Sequence, residues 1–309
     1  MMIKQSAPLY AGGPKVFPLV FGSLTLAQRS LSVAQSTALL QYAHECGINL
    51  CDTAEYYQNY PLLKPALAAC PGLMVCTKTY AYDRAGALAA YDKAAEALGR
   101  PLIDIFLLHE QESEHTLRGH AEALHTLAEL KAQGKIGAVG LSTHHVAAVR
   151  AACRCPQIEV VHPIFNQSGL GIVDGTTQDM ADALSEAAAC GIGIYAMKAL
   201  GGGHLLGQAV QALRFVWNNP HVGAVAVGMQ YREEIDFNLA ILRGENPPSL
   251  TDKPRQLLVE DWCRGCGACV RRCGFGAMRL REGRAQPTEG CTCCGYCAKV
   301  CPEFCIKVI

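Results

Sequence analysis

The sequence predicts an α/β protein: a (β/α)8 TIM barrel over residues 1–250, followed by a small cysteine-rich domain over residues 251–309. Eight short β-rich runs alternate with amphipathic segments through the first 250 residues, the pattern of a parallel barrel with a helix behind each strand. No G-x-G-x-x-G follows the first run, which argues against a doubly wound open sheet. Cysteine usage then changes abruptly. Of 17 cysteines, seven (Cys46, Cys51, Cys70, Cys76, Cys153, Cys155, Cys190) are scattered over the first 262 residues and ten crowd into the last 47. The polar, proline-bearing stretch Gly244–Arg255 precedes that change and reads as a linker.

In order, the predicted strands are Val16–Phe21, Asn49–Cys51, Leu73–Thr77, Ile103–Leu108, Ala138–Leu141, Ile158–Val161, Ile192–Met197 and Val222–Val227. Between them, Leu88, Tyr91, Ala95 and Leu98, and again Leu117, Ala121, Leu124 and Leu127, recur at three-and-four spacing and make single apolar helix stripes. Gly47, Gly99, Gly134 and Gly191 stand where left-handed caps would hand each helix to the next strand.

Composition excludes several roles. Lys and Arg number 27 and so do Asp and Glu, so no net charge draws the chain to nucleic acid or to an anionic membrane. No run reaches the roughly 18–20 apolar residues of a membrane span, and MMIKQSAPLYAGGPK lacks the apolar core of a secretory signal. A cytoplasmic protein acting through localised sites is expected.

The cysteines of the tail fall into two runs. CRGCGACVRRCG supplies Cys263, Cys266, Cys269 and Cys273, and CTCCGYCAKVCP supplies Cys291, Cys294, Cys297 and Cys301, both spaced C-x2-C-x2-C-x3-C. That spacing sets three thiolates around one face of a cubane and carries the fourth on a short helix toward a second cluster. One 4Fe-4S cluster is thus expected on Cys263, Cys266, Cys269 and Cys301, the other on Cys291, Cys294, Cys297 and Cys273. A disulfide framework suits small secreted domains, and zinc prefers paired knuckles supplying one tetrahedral ion; neither fits two four-cysteine runs. The tail resembles the bacterial two-cluster ferredoxins over residues 259–309, so the resemblance implies a ferredoxin-like iron–sulfur domain. The first run departs from the pattern in ending Cys273-Gly274 rather than Cys-Pro. Cys293 and Cys305 are left over, and Cys305 is expected as a small buried residue. From Arg255 onward basic residues exceed acidic ones by four, a surplus that thiolate-bound clusters would offset.

Barrel enzymes keep their chemistry at the C-terminal ends of the strands. Asp52 and Tyr57 follow the second strand, Lys78 the third and His109 the fourth. These residues, in D-T-A-x-x-Y, T-K and L-L-H, resemble the catalytic tetrad of the aldo-keto reductases, and the resemblance extends over about residues 16–242. It implies a barrel that binds NADPH or NADH and reduces a small-molecule carbonyl, or oxidises an alcohol, by hydride transfer. A phenol is a poor acid unless its anion is stabilised. Tyr57 is thus expected as proton donor, Lys78 as the cation beside it, Asp52 as the group that keeps Lys78 charged, and His109 as a donor to the carbonyl oxygen. Tyr56 lacks the spacing and is expected to pack.

The same resemblance points to cofactor-binding residues. Ser142 matches the strand-five G-x-S and Asn238 an asparagine at the adenine end. His162 stands where the family has a glutamine, four residues before Asn166, and Met197 stands for the aromatic residue that stacks on nicotinamide. After the eighth strand, VAVGMQYREEIDFN lacks the Lys-Ser pair for a 2'-phosphate and leaves Gly228 and Arg232, the latter beside Glu233 and Glu234. The preference between NADH and NADPH stays open. Gly201–Gly203 could cradle a phosphate or form a plain loop, and His144 and His145 are expected at a helix start. The clusters would serve as an electron relay, with a redox partner protein, or as structure. The alternative is an electron-transfer protein whose barrel binds a nucleotide or docks the partner.

Overall fold

The computed structural model describes residues 4–28, 31–250, 256–291, 293 and 295–308. The chain divides into two compact units, Met1–Ala199 with Leu213–Ser249, and Leu200–Ala212 with Leu250–Ile309.

The first unit is built on a closed parallel barrel of eight strands. They are β1 (Leu19–Gly22), β2 (Leu50–Asp52), β3 (Met74–Thr79), β4 (Ile103–Leu108), β5 (Ile136–Thr143), β6 (Val160–Pro163), β7 (Gly193–Ala196) and β8 (Ala224–Gly228). Each pairs with its sequence neighbours, and β8 closes on β1 in the register Val225 to Leu19. The helices behind them are α1 (Val33–Glu45), α2 (Tyr60–Ala69), α3 (Arg84–Leu98), α4 (Ala121–Ala132), α5 (Val146–Ala152), α6 (Thr177–Ala189), α7 (Ala209–Asn218) and α8 (Arg232–Leu242).

All eight expected strands form. The largest change is at the first, which starts at Leu19. Lys15–Val16 pairs instead with Ala7–Pro8 in an antiparallel hairpin, and Pro18, with no N–H to give, separates hairpin from barrel. Its carbonyl is used, accepting from Val225 N–H and from the Trp217 indole. Gly47, Gly99, Gly134 and Gly191 all have positive φ, as the caps require. The helix stripes are displaced. Ala87, Ala90, Tyr91, Ala94 and Leu98 form the buried face of α3, with Leu88 and Ala95 at its edge. Leu117 lies in a separate short helix, Glu114–Gly119, and Ala121 is exposed while Ala123 is buried. Small alanines let these helices approach closely, so the face follows alanine rather than the bulkiest residues.

The barrel interior is filled by Val20, Leu50, Met74, Cys76, Ile105, Leu107, Ala138, Val160, Tyr195 and Ala224, joined by Leu9 from the N-terminal hairpin. The Leu9 carbonyl presses on the start of β7 so closely that a Cβ on Gly193 would lie 1.4 Å from its oxygen. Glycine at 193 is what admits the hairpin as a plug.

In the second unit, β9 (Leu257–Val259) pairs antiparallel with β12 (Ile306–Val308), and β10 (Met278–Arg281) with β11 (Arg284–Pro287). Two short helices, α9 (Ala268–Arg272) and α10 (Tyr296–Lys299), each follow a left-handed glycine, Gly267 and Gly295, that stand 28 residues apart like the two cysteine runs. The core is small: Leu257, Met278, Ala285, Ala298, Ile306 and Val308 with Cys269, Cys297 and Cys305. The Gly201–Gly203 turn belongs to this unit, with Gly203 close to the Val308 carbonyl and His204 edge-on to Phe304. Among the described residues no helix is long and apolar enough to cross a membrane.

Gly193→Ala should force the Leu9 backbone away and cost about 3 kcal/mol, lowering Tm by roughly 6–12 °C in a domain of this size. A thermal melt within about a degree of the parent would refute the plug.

Candidate active site

The four rim residues converge. Asp52 ends β2, Lys78 lies one residue before the end of β3, His109 follows β4, and Tyr57 sits in the 3-10 turn Glu55–Tyr57. Lys78 Nζ donates to both Asp52 oxygens at 2.8 Å and to the Thr53 carbonyl at 2.7 Å, and both side chains are buried. The same ammonium lies 5.2 Å from the centre of the Tyr57 ring. The His109 ring is edge-on to Tyr57 at 6.0 Å and stacked on Tyr80 at 4.5 Å. Tyr56 packs edge-on against Tyr80 while remaining exposed.

The electrostatics follow from burial and one ion pair. Burial works against the Asp52 carboxylate, but Lys78, His162 and the hydrogen bonds from Lys78 and Tyr195 outweigh it, so its pKa is lowered. Burial likewise opposes the Lys78 charge, and Asp52 outweighs it, raising the pKa. Burial pushes Tyr57 up to about 12 even though Lys78 pulls it down. His109 is held well below its ordinary value by burial, then by Lys78, His162 and Lys198, and is therefore a neutral imidazole with one N–H to give.

The other candidates are placed as follows. Ser142, in β5, accepts from Glu110 N–H through its hydroxyl at 2.9 Å and from Gln111 N–H through its carbonyl at 2.8 Å, and so holds the turn that carries His109. His162, in β6, joins the tetrad: its Nε2 is 3.7 Å from Asp52 Oδ1 and its ring stacks on Tyr195 at 3.9 Å. His162 Nδ1 lies 2.7 Å from the Tyr195 carbonyl; a carbonyl only accepts, so Nδ1 carries the proton. Burial lowers this imidazole to about 4. The Asn166 amide is committed to its own loop, donating to the Leu170 carbonyl and accepting from Ser168 and Leu170 N–H. Met197 follows β7 and bridges to Ile164. Gly228 ends β8 opposite Gly22. Arg232 and Asn238 lie on α8, where the Arg232 guanidinium sits 4.7 Å over the Tyr42 ring and Asn238 is buried.

Three features escaped the sequence. Tyr195 and Cys76 stand beneath the tetrad, with the Tyr195 hydroxyl 2.9 Å from both Asp52 Oδ1 and Cys76 Sγ. Period-two alternation from Met197 back along β7 points Tyr195 inward, and that is the signal that could have found it. His145 takes the N-cap position of α5 as expected, but no histidine side chain caps it: the first N–H groups of α5 go to the Asp174 carboxylate at 2.6 and 2.9 Å, and His144 lies outside the helix start. It is instead hydrogen-bonded to Lys198 Nζ at 2.9 Å, across the mouth between β5 and β7.

In the second unit the cysteines line two hollows. One is lined by Cys263, Cys266, Cys269, Cys301 and Cys305. The other is lined by Cys273, Cys291 and Cys297 with Phe275, Met278 and Tyr296; Cys294 lies outside the described residues. Ala285 N–H donates to Cys263 Sγ at 3.4 Å and Ala277 N–H to Cys273 Sγ at 3.3 Å. Cys305 is buried with its sulfur 3.3 Å from that of Cys301. Among the described residues no three His, Cys, Asp or Glu side chains gather as a single metal ion would require.

Residues 18–211 match the Aldo/keto reductase family. Among solved structures, the chain is similar to a protein from Pseudomonas aeruginosa assigned to the aldo-keto reductases, at 24% identity and TM-score 0.68 over 79% of this chain and 97% of that one. It is also similar to the holo form of an aldo-keto reductase from Bacillus halodurans, at 17% identity and TM-score 0.66 over 80% of this chain and 93% of that one. At such identities the likeness speaks for the fold. A separate likeness is to one component of the ion-translocating oxidoreductase complex of Methanosarcina acetivorans, 37% identical over 57 residues. It takes in 18% of this chain and spans about a fifth (22%) of that relative.

Asp52→Asn strands a buried ammonium and should cost roughly 3–5 kcal/mol in urea unfolding, part of which the double variant with Lys78→Met recovers; a loss below about 1 kcal/mol would contradict the pairing. Because the folded pKa of Asp52 is lowered, its contribution is fully present above its ordinary value of 3.8 and is lost as pH falls below it.

Proposed function

The chain belongs to the aldo/keto reductase family and is an oxidoreductase, and from that premise we propose that it reduces a small-molecule carbonyl, or oxidises the alcohol, with NADPH or NADH. The observation that carries the reading is the convergence of Tyr57, Lys78, Asp52 and His109 around one buried ion pair. A bound nicotinamide supplies the hydride. The chain supplies the rest. Tyr57 gives its phenolic proton to the carbonyl oxygen, and Lys78, held charged by Asp52, stabilises the phenolate left behind. His109, kept neutral, donates to the same oxygen and orients it.

The residues fit such a ligand. His109 Nδ1 and Gln111 Oε1 are buried with no hydrogen-bond partner, which leaves polar capacity beside the tetrad. Ser142, His162 and Met197 are read as the cofactor-holding set, with Gly228 at the end of β8 and Arg232 at the start of α8, and Asn238 within α8 as the residue for the adenine end. Asn166 would act through its loop, since its amide is already engaged.

The second unit is read as a ferredoxin-like domain, with a boundary near residue 250, that holds two 4Fe-4S clusters. The hollows support this: one combines Cys263, Cys266 and Cys269 with Cys301, the other Cys291 and Cys297 with Cys273, and Cys294 would complete the second set. Backbone N–H groups aimed at Cys263 and Cys273 suit thiolate ligands. Bound there, the clusters supply single-electron transfer or structural support.

A second reading, an electron-transfer protein whose clusters serve a partner protein, is favoured by the 57-residue likeness to a component of an oxidoreductase complex. Hydride carries two electrons and each cubane accepts one, so a nicotinamide and a single cluster do not match.

Tyr57→Phe should lower NAD(P)H-linked carbonyl turnover about 10²- to 10⁴-fold; undiminished turnover would sink the reductase reading. Anaerobic reconstitution should load about eight irons, and Cys301→Ser should damage the cluster of the first run, read by EPR. Selective loss of the other cluster would refute the crossed ligation.

A further inference from the structure

Tyr195 is the largest fully buried side chain among the described residues, and it sits where the barrel core meets the tetrad. Its hydroxyl donates to Asp52 Oδ1 at 2.9 Å and lies 2.9 Å from Cys76 Sγ. The direction of the first bond is fixed by chemistry. An ionised carboxylate only accepts, so the single Tyr195 proton goes to Asp52, and the Cys76 thiol, which also reaches the Thr77 carbonyl at 3.8 Å, stands at donor distance from the Tyr195 oxygen. A chain of polar contacts therefore runs from Cys76 through Tyr195 to Asp52.

The tyrosine itself is immobilised. His162 lies flat on its ring at 3.9 Å and 15°, and His162 Nδ1–H is bonded to the carbonyl of the same residue. The neighbouring strands thus hold both its face and its backbone. Lys78 Nζ is 2.8 Å from each Asp52 oxygen, a symmetric grip on the ammonium that a rotating carboxylate could not keep. The bond to Oδ1 alone breaks that rotational freedom.

We propose that Tyr195 is a positioning residue for the tetrad: its hydroxyl locks the Asp52 carboxylate in one orientation and so fixes the Lys78 ammonium beside Tyr57. The proposal rests on the reductase reading of the site. It differs from a packing role, because a filler of the barrel interior acts through its ring and this one acts through its oxygen.

The groups that face Asp52 are Lys78 and Cys76 from β3, His162 from β6, Tyr195 from β7, and Cys51 and Tyr57 from β2 and its following turn. Of these, Lys78, His162 and Tyr195 favour the carboxylate over the acid. Removing the Tyr195 donor therefore raises the Asp52 pKa, and whatever needs the carboxylate fails at higher pH.

The test is made on the full-length holoenzyme with Tyr195→Phe, which keeps the ring and its stacking. Turnover kcat should fall about tenfold, KM for the nicotinamide cofactor should stay within about twofold, and the acid limb of kcat should move up by about one pH unit. Acid unfolding, followed by circular dichroism, should move the same way. Unchanged kcat and an unmoved acid limb, with Tyr57→Phe inactive as expected, overturn this proposal alone. Undiminished turnover in Tyr57→Phe overturns the tetrad reading and this proposal with it. Should Tyr195→Phe not fold, Cys76→Ala carries the test: it removes the thiol beside the Tyr195 oxygen, and the acid limb must move up by a smaller amount. No movement there overturns the chain.

Discussion

One ion pair organises the barrel mouth. An ammonium and a carboxylate buried together are tolerable only if each satisfies the other and the remaining hydrogen-bonding capacity is met. Lys78 meets that condition with two bonds to Asp52 and one to the Thr53 carbonyl. Asp52 meets it with Lys78 and Tyr195. The pair then sets the state of its neighbours: Lys78 draws the pKa of Tyr57 down against burial and helps keep His109 neutral. Strand length follows the same need, since β2 runs to Asp52 and β3 beyond Lys78, so that both charges are carried on hydrogen-bonded backbone rather than on loops.

The proposed reductase and cluster functions differ in electron count, and the chain offers a way to accommodate the difference. Two hollows are each lined by cysteines from both runs, and a cluster held in each would together take the two electrons that one cluster cannot. Their walls differ. Phe275, Met278 and Tyr296 line one, and Arg264 and Glu303 the other. Solvent access and nearby charge tune cluster potentials, so two clusters in these surroundings would not be equivalent.

Much of the fold is legible in the chain. Eight strands are marked by β-rich runs, and helix ends by glycines that adopt positive φ. What fails is local. Val16 looks like the start of β1 because it is apolar, yet Pro18 cannot donate into the ladder and the hairpin claims Val16. The buried face of α3 is set by Ala87, Ala90 and Ala94, whose small size hides them from a stripe drawn through leucine. In the site, Asp52, Tyr57, Lys78 and His109 are visible because each lies at or just after the end of a predicted strand in a short motif that resembles those of the aldo-keto reductases. Tyr195 is not, because its partners Asp52 and Cys76 lie 143 and 119 residues away. His144 misleads for the same reason: Asp174, 28 residues beyond Val146, supplies the helix cap that a nearby histidine is expected to give.

The segment Leu200–Ala212 leaves the end of β7's turn, belongs to the cysteine-rich unit, and returns to the barrel in the course of α7. The chain therefore passes between the units three times, after Ala199, after Ala212 and after Ser249. Removing everything after Ser249 would leave Gly203 without the strand end at Val308 and His204 without Phe304. A cut at the linker would therefore strip the packing partners from Leu200–Ala212, a stretch that lies in the middle of the barrel's own sequence but belongs to the cysteine-rich unit.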